Sequence, residues 1–183
     1  MEEAARCARA GGGERGVTGI NIGVYRREGL ELADLMARLG ETPGRQRLRL
    51  GSVEPPQVDE RLVGVRRDIP AVCPHIHLPL QSGSDRVLAA MGRRYDSAAF
   101  LDKVAMLRNH LPLPAVTTDI IVGFPGEDED DVADSLAVCR RAGFSRLHVF
   151  LYSPRPGTRA AAMPRSVPDR TIEGWKNRLI ALG

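Results

Sequence analysis

Two histidines, a Gln-Ser-Gly-Ser turn and a basic helix end occur together in the stretch HIHLPLQSGSDRVLAAMGRRY, which runs from His75 to Tyr95. A turn of glycine and serine that leads into a helix offers backbone N–H groups, which suit a carboxylate or a phosphate. Gln81 adds a long polar side chain that turn formation does not require. His75 and His77 have a spacing that can chelate a metal, but no third ligand is evident nearby. The stretch indicates a site for a polar, partly charged ligand, with a zinc site as the less favoured alternative.

The composition is that of an ordinary globular protein. The 183 residues are 43% hydrophobic and 27% charged, and they contain neither a run of eighteen apolar residues nor an apolar signal-peptide core. We therefore predict one domain over residues 1–183, a cytoplasmic location and no membrane association. The net charge of +3 suits a polyanionic partner. Taken alone, however, this charge is explained better by the arginine-rich composition of a protein from a GC-rich genome than by a polyanionic partner.

Short apolar runs alternate with helical patterns, which is the rhythm of an α/β fold. One predicted helix begins at the acidic run 128–131 and ends near Gly143, and another is predicted from Glu2 to Ala10. Five strand-helix units are too few for a closed eight-stranded barrel. We predict an open, partial parallel βα barrel, with a doubly wound sheet as the alternative. The apolar runs are GVTGIN, RLRLGSV, HIHLPL, AVTTDIIVGF and RLHVFLY.

Polar or small residues follow each of the five apolar runs, at the strand ends where parallel α/β folds bind ligands. Turn formation explains any one of these segments, but five together favour a binding site. Arg155 lies between two prolines that restrict its backbone, so it could clamp a carboxylate or phosphate. The segments contain Thr18, Gly19 and Asn21; Ser52 and Glu54; Gln81 to Ser84; Gly123 to Glu127; and Tyr152 to Thr158.

Five ordered blocks resemble the radical S-adenosylmethionine (SAM) methylthiotransferases. They are TGINIGVY, RLRLGSVEP, HIHLPLQSGSDRVLAAMGRRY, TTDIIVGFPGE and FSRLHVFLYSPRPGTRAAAMP. The first and last are most similar to the branch that modifies N6-threonylcarbamoyladenosine beside the tRNA anticodon. The branches that act on isopentenyladenosine in tRNA and on ribosomal protein S12 remain alternatives.

The resemblance implies a partial radical SAM barrel, SAM and 4Fe-4S clusters as cofactors, tRNA as substrate, and flavodoxin or ferredoxin as electron donor. A methylthio group would be added to C2 of the modified adenosine. The residues that the resemblance assigns to the SAM pocket are Thr18, Gly19, Asn21, Ser52, Glu54, Gln81, Ser82, Gly123 and Arg155.

The cysteines depart from the family pattern. A Cys-x-x-x-Cys-x-x-Cys loop holds the radical-generating cluster in the family, whereas Cys7, Cys73 and Cys139 lie far apart. We therefore expect a barrel without its first strand and cluster loop, lacking the amino-terminal second-cluster domain and the carboxyl-terminal RNA-binding domain. The chain is then either a fragment of a tRNA methylthiotransferase or a non-catalytic nucleotide- or RNA-binding remnant of the barrel. An unrelated phosphate-binding α/β enzyme that uses the QSGS turn is a third, weaker hypothesis.

Overall fold

Strands and helices alternate in the computed structural model, which describes residues 6, 13–42, 47–164 and 167–183. The helix predicted from Glu2 to Ala10 lies, except for Arg6, outside the described residues. The strands are β1 (Glu14–Val17), β2 (Arg26–Arg27), β3 (Leu30–Glu31), β4 (Arg47–Leu50), β5 (His75–His77), β6 (Ala115–Val122) and β7 (Arg146–Leu151). The α-helices are α1 (Leu32–Gly40), α2 (Glu60–Asp68), α3 (Asp85–Ala90), α4 (Ser97–His110), α5 (Glu129–Ala142) and α6 (Asp169–Ile180).

The chain divides into two compact units. Unit one comprises Met1–Leu78 and Ala105–Ala115, and unit two comprises Pro79–Val104 and Val116–Gly183. The described strands form no closed barrel, as the count of strand-helix units predicted.

Unit one is built on the parallel pair β1–β4, which runs from Glu14 opposite Arg47 to Val17 opposite Leu50. Single parallel bridges join Leu48 to Val72 and Ser52 to His77. Apolar side chains of the strands alternate toward the helices, as the period of a strand requires. The buried residues of this core include Leu48, Leu50, Val72 and Ile76 from the strand segments and Leu32, Met36, Leu62 and Val63 from α1 and α2.

Unit two contains the parallel pair β6–β7, which runs from Thr117 opposite Arg146 to Val122 opposite Leu151. Helix α5 is capped by Asp128, whose carboxylate accepts hydrogen bonds from the N–H groups of Asp130 and Asp131. The helix ends at Gly143, which adopts the left-handed conformation with φ of 53°. Both ends agree with the sequence prediction. The buried side chains of this unit include Phe100, Ile120, Val122, Val132, Leu136, Ile172, Trp175 and Leu179.

All five predicted strands are present, but the first is shifted. The run GVTGIN predicted a strand over residues 16–21, whereas β1 ends at Val17 and a turn follows. Asn21 within that turn has a φ of 52°, which is incompatible with an extended strand. The antiparallel hairpin β2–β3, with Arg26 opposite Glu31, was not predicted.

Candidate functional site

Unit two contains a cavity of about 1010 Å³ at the carboxyl ends of β6 and β7. This is the position at which parallel α/β folds bind ligands. Its wall is mainly apolar and aromatic, and a few polar and charged side chains interrupt it. A cavity of this kind suits a small molecule that has both an apolar and a polar part. The residues that line it include Gln81, Met91, Arg93, Asp119, Ile121, Phe124, Phe150, Tyr152, Arg155 and Arg159.

Gln81 lines this cavity with an unusual backbone conformation. Its φ of 71° lies in the left-handed region, which a non-glycine residue rarely adopts. Two hydrogen bonds to β6 hold it there, because the Gln81 N–H donates to the Asp119 carbonyl at 2.8 Å and its carbonyl accepts from the Ile121 N–H at 2.9 Å. No described residue forms a hydrogen bond with its side-chain amide. Strain of this kind clusters at binding sites, and the free amide can serve a ligand.

Helix α5 supports the turn that follows Gln81. The Gly83 N–H donates to Ser135 Oγ at 2.8 Å, and Ser84 Oγ donates to Asp131 Oδ1 at 2.6 Å. A Cβ at Gly83 would lie 2.4 Å from the Ser135 Cα, so the turn packs directly on the helix backbone. Ser82 is completely buried, its hydroxyl lies 3.4 Å from that of Ser135, and it is not among the cavity-lining residues.

The loop after β6 forms another part of the wall. Gly123 has a φ of 79°, and a Cβ there would lie 2.8 Å from Ile172 Cγ2. The neighbouring Phe124 packs edge-on against Tyr152, with ring centroids 5.3 Å apart. Glu127, which the sequence analysis did not single out, is only 2% exposed and accepts hydrogen bonds from the N–H groups of Gly123 and Phe124. Burial raises the pKa of the Glu127 carboxyl to about 7, although these two hydrogen bonds oppose the shift.

Three arginines give the cavity a basic side. Arg93, Arg155 and Arg159 all line it, whereas Asp119 is the one lining residue with a negative charge. Arg159 Nη2 donates to the Ala90 carbonyl at 3.1 Å. The Arg155 carbonyl accepts from Thr158 Oγ1 at 2.8 Å, a contact that fixes the turn containing Arg155 while its side chain stays exposed. The excess of positive charge suits an anionic ligand group.

The other five predicted site residues lie in unit one. A side chain that the sequence analysis missed, Gln57, joins two of their segments: its Nε2 donates to Asn21 Oδ1 at 2.5 Å, and its Oε1 accepts from the Glu54 N–H at 3.1 Å. Gln57 lies on a short 3-10 helix (Pro55–Gln57) that nothing in the sequence pattern marked as functional. Thr18, Gly19 and Ser52 are exposed at the same strand ends.

The described residues contain no candidate metal centre: no group of three or more His, Cys, Asp or Glu side chains could hold an ion. The zinc alternative for His75 and His77 therefore gains no support. Cys73 and Cys139 are buried free thiols, and burial raises the pKa of Cys139 to about 12. Cys7 lies outside the described residues. Nor is any described helix long and apolar enough to cross a membrane.

The sequence matches the family model described as the Radical SAM superfamily over residues 1–139. It is 42% identical over 169 residues to the threonylcarbamoyladenosine tRNA methylthiotransferase MtaB of Thermotoga maritima, covering 92% of this chain and 39% of the relative. It is 46% identical over 150 residues to the tRNA-2-methylthio-N(6)-dimethylallyladenosine synthase of Corynebacterium urealyticum, covering 82% of this chain and 28% of the relative. The chain thus spans well under half the length of these curated relatives.

Two solved structures share the fold at 16% sequence identity. Coproporphyrinogen III oxidase (HemN) from Escherichia coli, a radical SAM enzyme, superposes with a TM-score of 0.75 over 98% of this chain and 43% of its own. The radical SAM methyltransferase TsrM from Kitasatospora setae superposes with a TM-score of 0.66 over 82% of this chain and 29% of its own. The predicted open α/β architecture of the radical SAM type is confirmed, and the chain belongs to the radical SAM superfamily.

Proposed function

We propose that this chain is the part of a tRNA methylthiotransferase that binds SAM, in an enzyme that adds a methylthio group to C2 of N6-threonylcarbamoyladenosine next to the anticodon. The observation that carries the proposal is the 42% identity to a threonylcarbamoyladenosine tRNA methylthiotransferase over 92% of the chain. Relatives that are named for two different modified adenosines share this similarity. It therefore supports the addition of a methylthio group, which their names have in common. The enzyme class is therefore a radical SAM transferase.

The cavity of unit two fits the nucleoside part of SAM. Its aromatic and aliphatic wall, which includes Ile121, Phe124 and Tyr152, suits an adenine ring. The amide of Gln81 and the carboxylate of Asp119 can hydrogen-bond polar edges of the ligand. Arg155 can pair with the carboxylate of the methionine part of SAM. Ser82 and Gly123 do not line the cavity, but each is the chain neighbour of a residue that does, Gln81 and Phe124.

The five residues of unit one are proposed to contact SAM on the resemblance alone. Thr18, Gly19 and Asn21 match the segment expected near the methionine amino group. Ser52 and Glu54 match the polar pair at the end of the next strand. Gln57 holds Asn21 and the Glu54 backbone in place through its two hydrogen bonds, so it has a supporting role in this proposal.

Membership of the superfamily implies SAM together with a 4Fe-4S cluster, and the cluster would supply the electron that the radical chemistry of SAM requires. The described residues do not fit a cluster, because they provide no set of three thiolates. The chain's own residues would bind and orient SAM.

The proposed partners follow from this function. Both curated relatives are named as enzymes of tRNA modification, which supports tRNA as substrate. Flavodoxin or ferredoxin as electron donor and a cytoplasmic location are part of the same proposal. A tRNA that carries a dimethylallyl group is the second candidate substrate, favoured by the 46% identity to the Corynebacterium urealyticum synthase.

A chimera tests this function. Residues 13–183 would replace the matching segment of the Thermotoga maritima relative, and the nucleosides of the modified tRNA would be analysed by mass spectrometry. We expect the methylthio form of threonylcarbamoyladenosine. The methylthio form of dimethylallyladenosine alone would support the second candidate. A well-folded chimera that binds SAM and modifies neither base would support a non-catalytic nucleotide- or RNA-binding protein.

A further inference from the structure

The last turn of α2 contains a buried arginine whose guanidinium is only partly bonded. Arg66 is 4% exposed and lies on the same helix face as the buried Leu62 and Val63. Its Nη1 donates to the Leu62 carbonyl of its own helix at 3.5 Å. The Nε and Nη2 atoms are also buried, but no described residue accepts a hydrogen bond from either of them. A buried charged donor without an acceptor is costly, which indicates that a partner belongs at these two atoms.

The two unbonded atoms form one edge of the guanidinium. On that edge the Nε–H bond and one Nη2–H bond point in parallel, at the spacing of two oxygen atoms of a carboxylate or a phosphate. An anion that carries two oxygens on one central atom can therefore accept both hydrogen bonds at once. A water molecule offers a single oxygen and no charge, so it suits this edge less well.

The neighbouring carboxylates of the described chain already have other partners. Asp68, two residues further along the chain, accepts hydrogen bonds from Arg67 at 2.7 and 2.9 Å. Glu14 accepts two hydrogen bonds from Arg49, at 2.7 and 3.2 Å. Neither carboxylate is therefore available to neutralise Arg66.

Positive charge prevails in the surroundings of Arg66. Burial is the main cause that lowers the pKa of His75, and the positive charges of Arg49, His77 and Arg66 lower it further. The Glu14 carboxylate opposes them. Burial also lowers the pKa of the Arg66 guanidinium, to about 10, so this group stays charged at neutral pH. An anion is therefore attracted to this part of unit one.

This cluster lies at the opposite end of the strands from the predicted site residues of unit one. Cys73, whose thiol interacts electrostatically with Arg66, comes two residues before β5 begins. Glu14, whose Oε2 lies 4.0 Å from the Cys73 Sγ, is the first residue of β1. Ser52 and Glu54, in contrast, follow the end of β4. A ligand at Arg66 is therefore separate from a ligand at the carboxyl ends of the strands.

We propose that unit one binds a small oxyanion, held side-on by the Nε–H and Nη2–H groups of Arg66. The ligand class is a phosphate, a sulfate or a carboxylate, each of which presents two oxygens to the guanidinium edge. The ion supplies the missing acceptors and balances the buried charge, so its binding stabilises unit one. Because both nitrogen atoms are closed to solvent, the last turn of α2 must move to admit it. The site is independent of the proposed function.

Thermal unfolding with inorganic phosphate tests the site. Wild type, Arg66→Met and Arg38→Met would be compared near pH 7 in phosphate, acetate and chloride of equal ionic strength. At about ten times its dissociation constant, phosphate should raise the wild-type Tm by about 4 °C more than that of Arg66→Met, whose response measures the general salt effect. Arg38→Met makes the same chemical change at an exposed position in the last turn of α1, and it should respond as wild type does.

A second readout follows the guanidinium itself. In a ¹⁵N-labelled chain the Arg66 Nε–H resonance should shift saturably with phosphate, and that of Arg38 should not. A further response to acetate would identify a carboxylate as a ligand, whereas a response to phosphate alone would identify a tetrahedral oxyanion. Arg66→Met removes an unpaired buried charge, so its Tm in chloride should equal or exceed that of wild type. The proposal is overturned if wild type and Arg66→Met respond equally to every anion, or if the Arg66 resonance moves with none of them.

Discussion

Substitution of Gly83 by alanine should strongly destabilise unit two. The added Cβ would lie 2.4 Å from the Ser135 Cα, 2.8 Å from the Asp134 carbonyl oxygen and 2.8 Å from the Ser135 nitrogen. All three are backbone atoms of α5, so no side-chain rotation relieves the contact. The turn must move away from the helix by about 1 Å to restore a normal carbon–carbon distance.

The structure sets the size of the expected loss. Overpacking of a core costs about 1–3 kcal/mol. Moving the turn also weakens the hydrogen bonds from the Gly83 N–H to Ser135 and from Ser84 to Asp131, which contribute about 1 kcal/mol each. We expect a loss of about 3–5 kcal/mol in the free energy of unfolding and, for a chain of this length, a fall in Tm of about 10 °C.

Urea unfolding and thermal unfolding measure this loss, with Gly174→Ala as the matched control. Gly174 lies in α6 with no atom within 4 Å of an added Cβ. Alanine there should stabilise the chain by about 0.5–1 kcal/mol, because glycine is unfavourable inside a helix. The packing of the turn on α5 is refuted if Gly83→Ala unfolds within about 0.5 kcal/mol of wild type, the range of a neutral surface change.

Three further substitutions test separate contacts by urea unfolding. Asp131→Asn should lower the free energy of unfolding by about 1–3 kcal/mol at pH 7. Burial disfavours the charge of Asp131. Hydrogen bonds from Ser84 and the Asp128 N–H, together with the nearby Arg86, nevertheless hold the pKa of its carboxyl below its ordinary value. That stabilisation should disappear as the pH falls through the acid range, and a loss unchanged at pH 3 would contradict it. Asn21→Ala should lower the free energy of unfolding by about 1 kcal/mol more than Asn21→Gly does, because the backbone φ of 52° at this position favours glycine. Equal losses in the two variants would leave only the hydrogen bond to Gln57 as the role of Asn21. For Glu127, the raised pKa of about 7 means that its contribution to stability is complete below about pH 4.5 and is lost as the pH rises through about 7. Relative to Glu127→Gln, wild type should therefore lose up to about 3 kcal/mol between pH 4.5 and pH 8, and parallel pH profiles would show that Glu127 ionises freely.

Local signals predicted some elements well because the same residues that form the signal make the contacts. The acidic start of α5, its apolar period and Gly143 appear in the structure as a capped amphipathic helix. The β2–β3 hairpin was missed because its strands have two residues each, too few to show an alternating pattern. The first strand was placed too late because the turn at Gly19 to Asn21 was read as its continuation.

The candidate site was predictable only in part for the same physical reason. Gln81 and Arg155 each lie four residues beyond the end of a strand, β5 and β7, so chain position alone indicated the cavity of unit two. Glu127, Asp131 and Ser135 act through contacts with the loop after β6 or with the QSGS turn, which sequence spacing does not reveal. The burial of Glu127 was equally invisible in a run of four acidic neighbours that reads as a solvated helix start.

Calorimetric titration of this chain with SAM at pH 8, in wild type and in Gln81→Leu, tests the central claim most directly. The substitution removes the side-chain amide of a residue that lines the cavity and keeps a similar volume. We expect saturable binding at one site in wild type and about tenfold weaker binding in Gln81→Leu, with Glu173→Gln, an exposed change on α6, unchanged. Absence of SAM binding in folded wild-type protein, or equal affinity in Gln81→Leu, would contradict the assignment of this cavity to SAM.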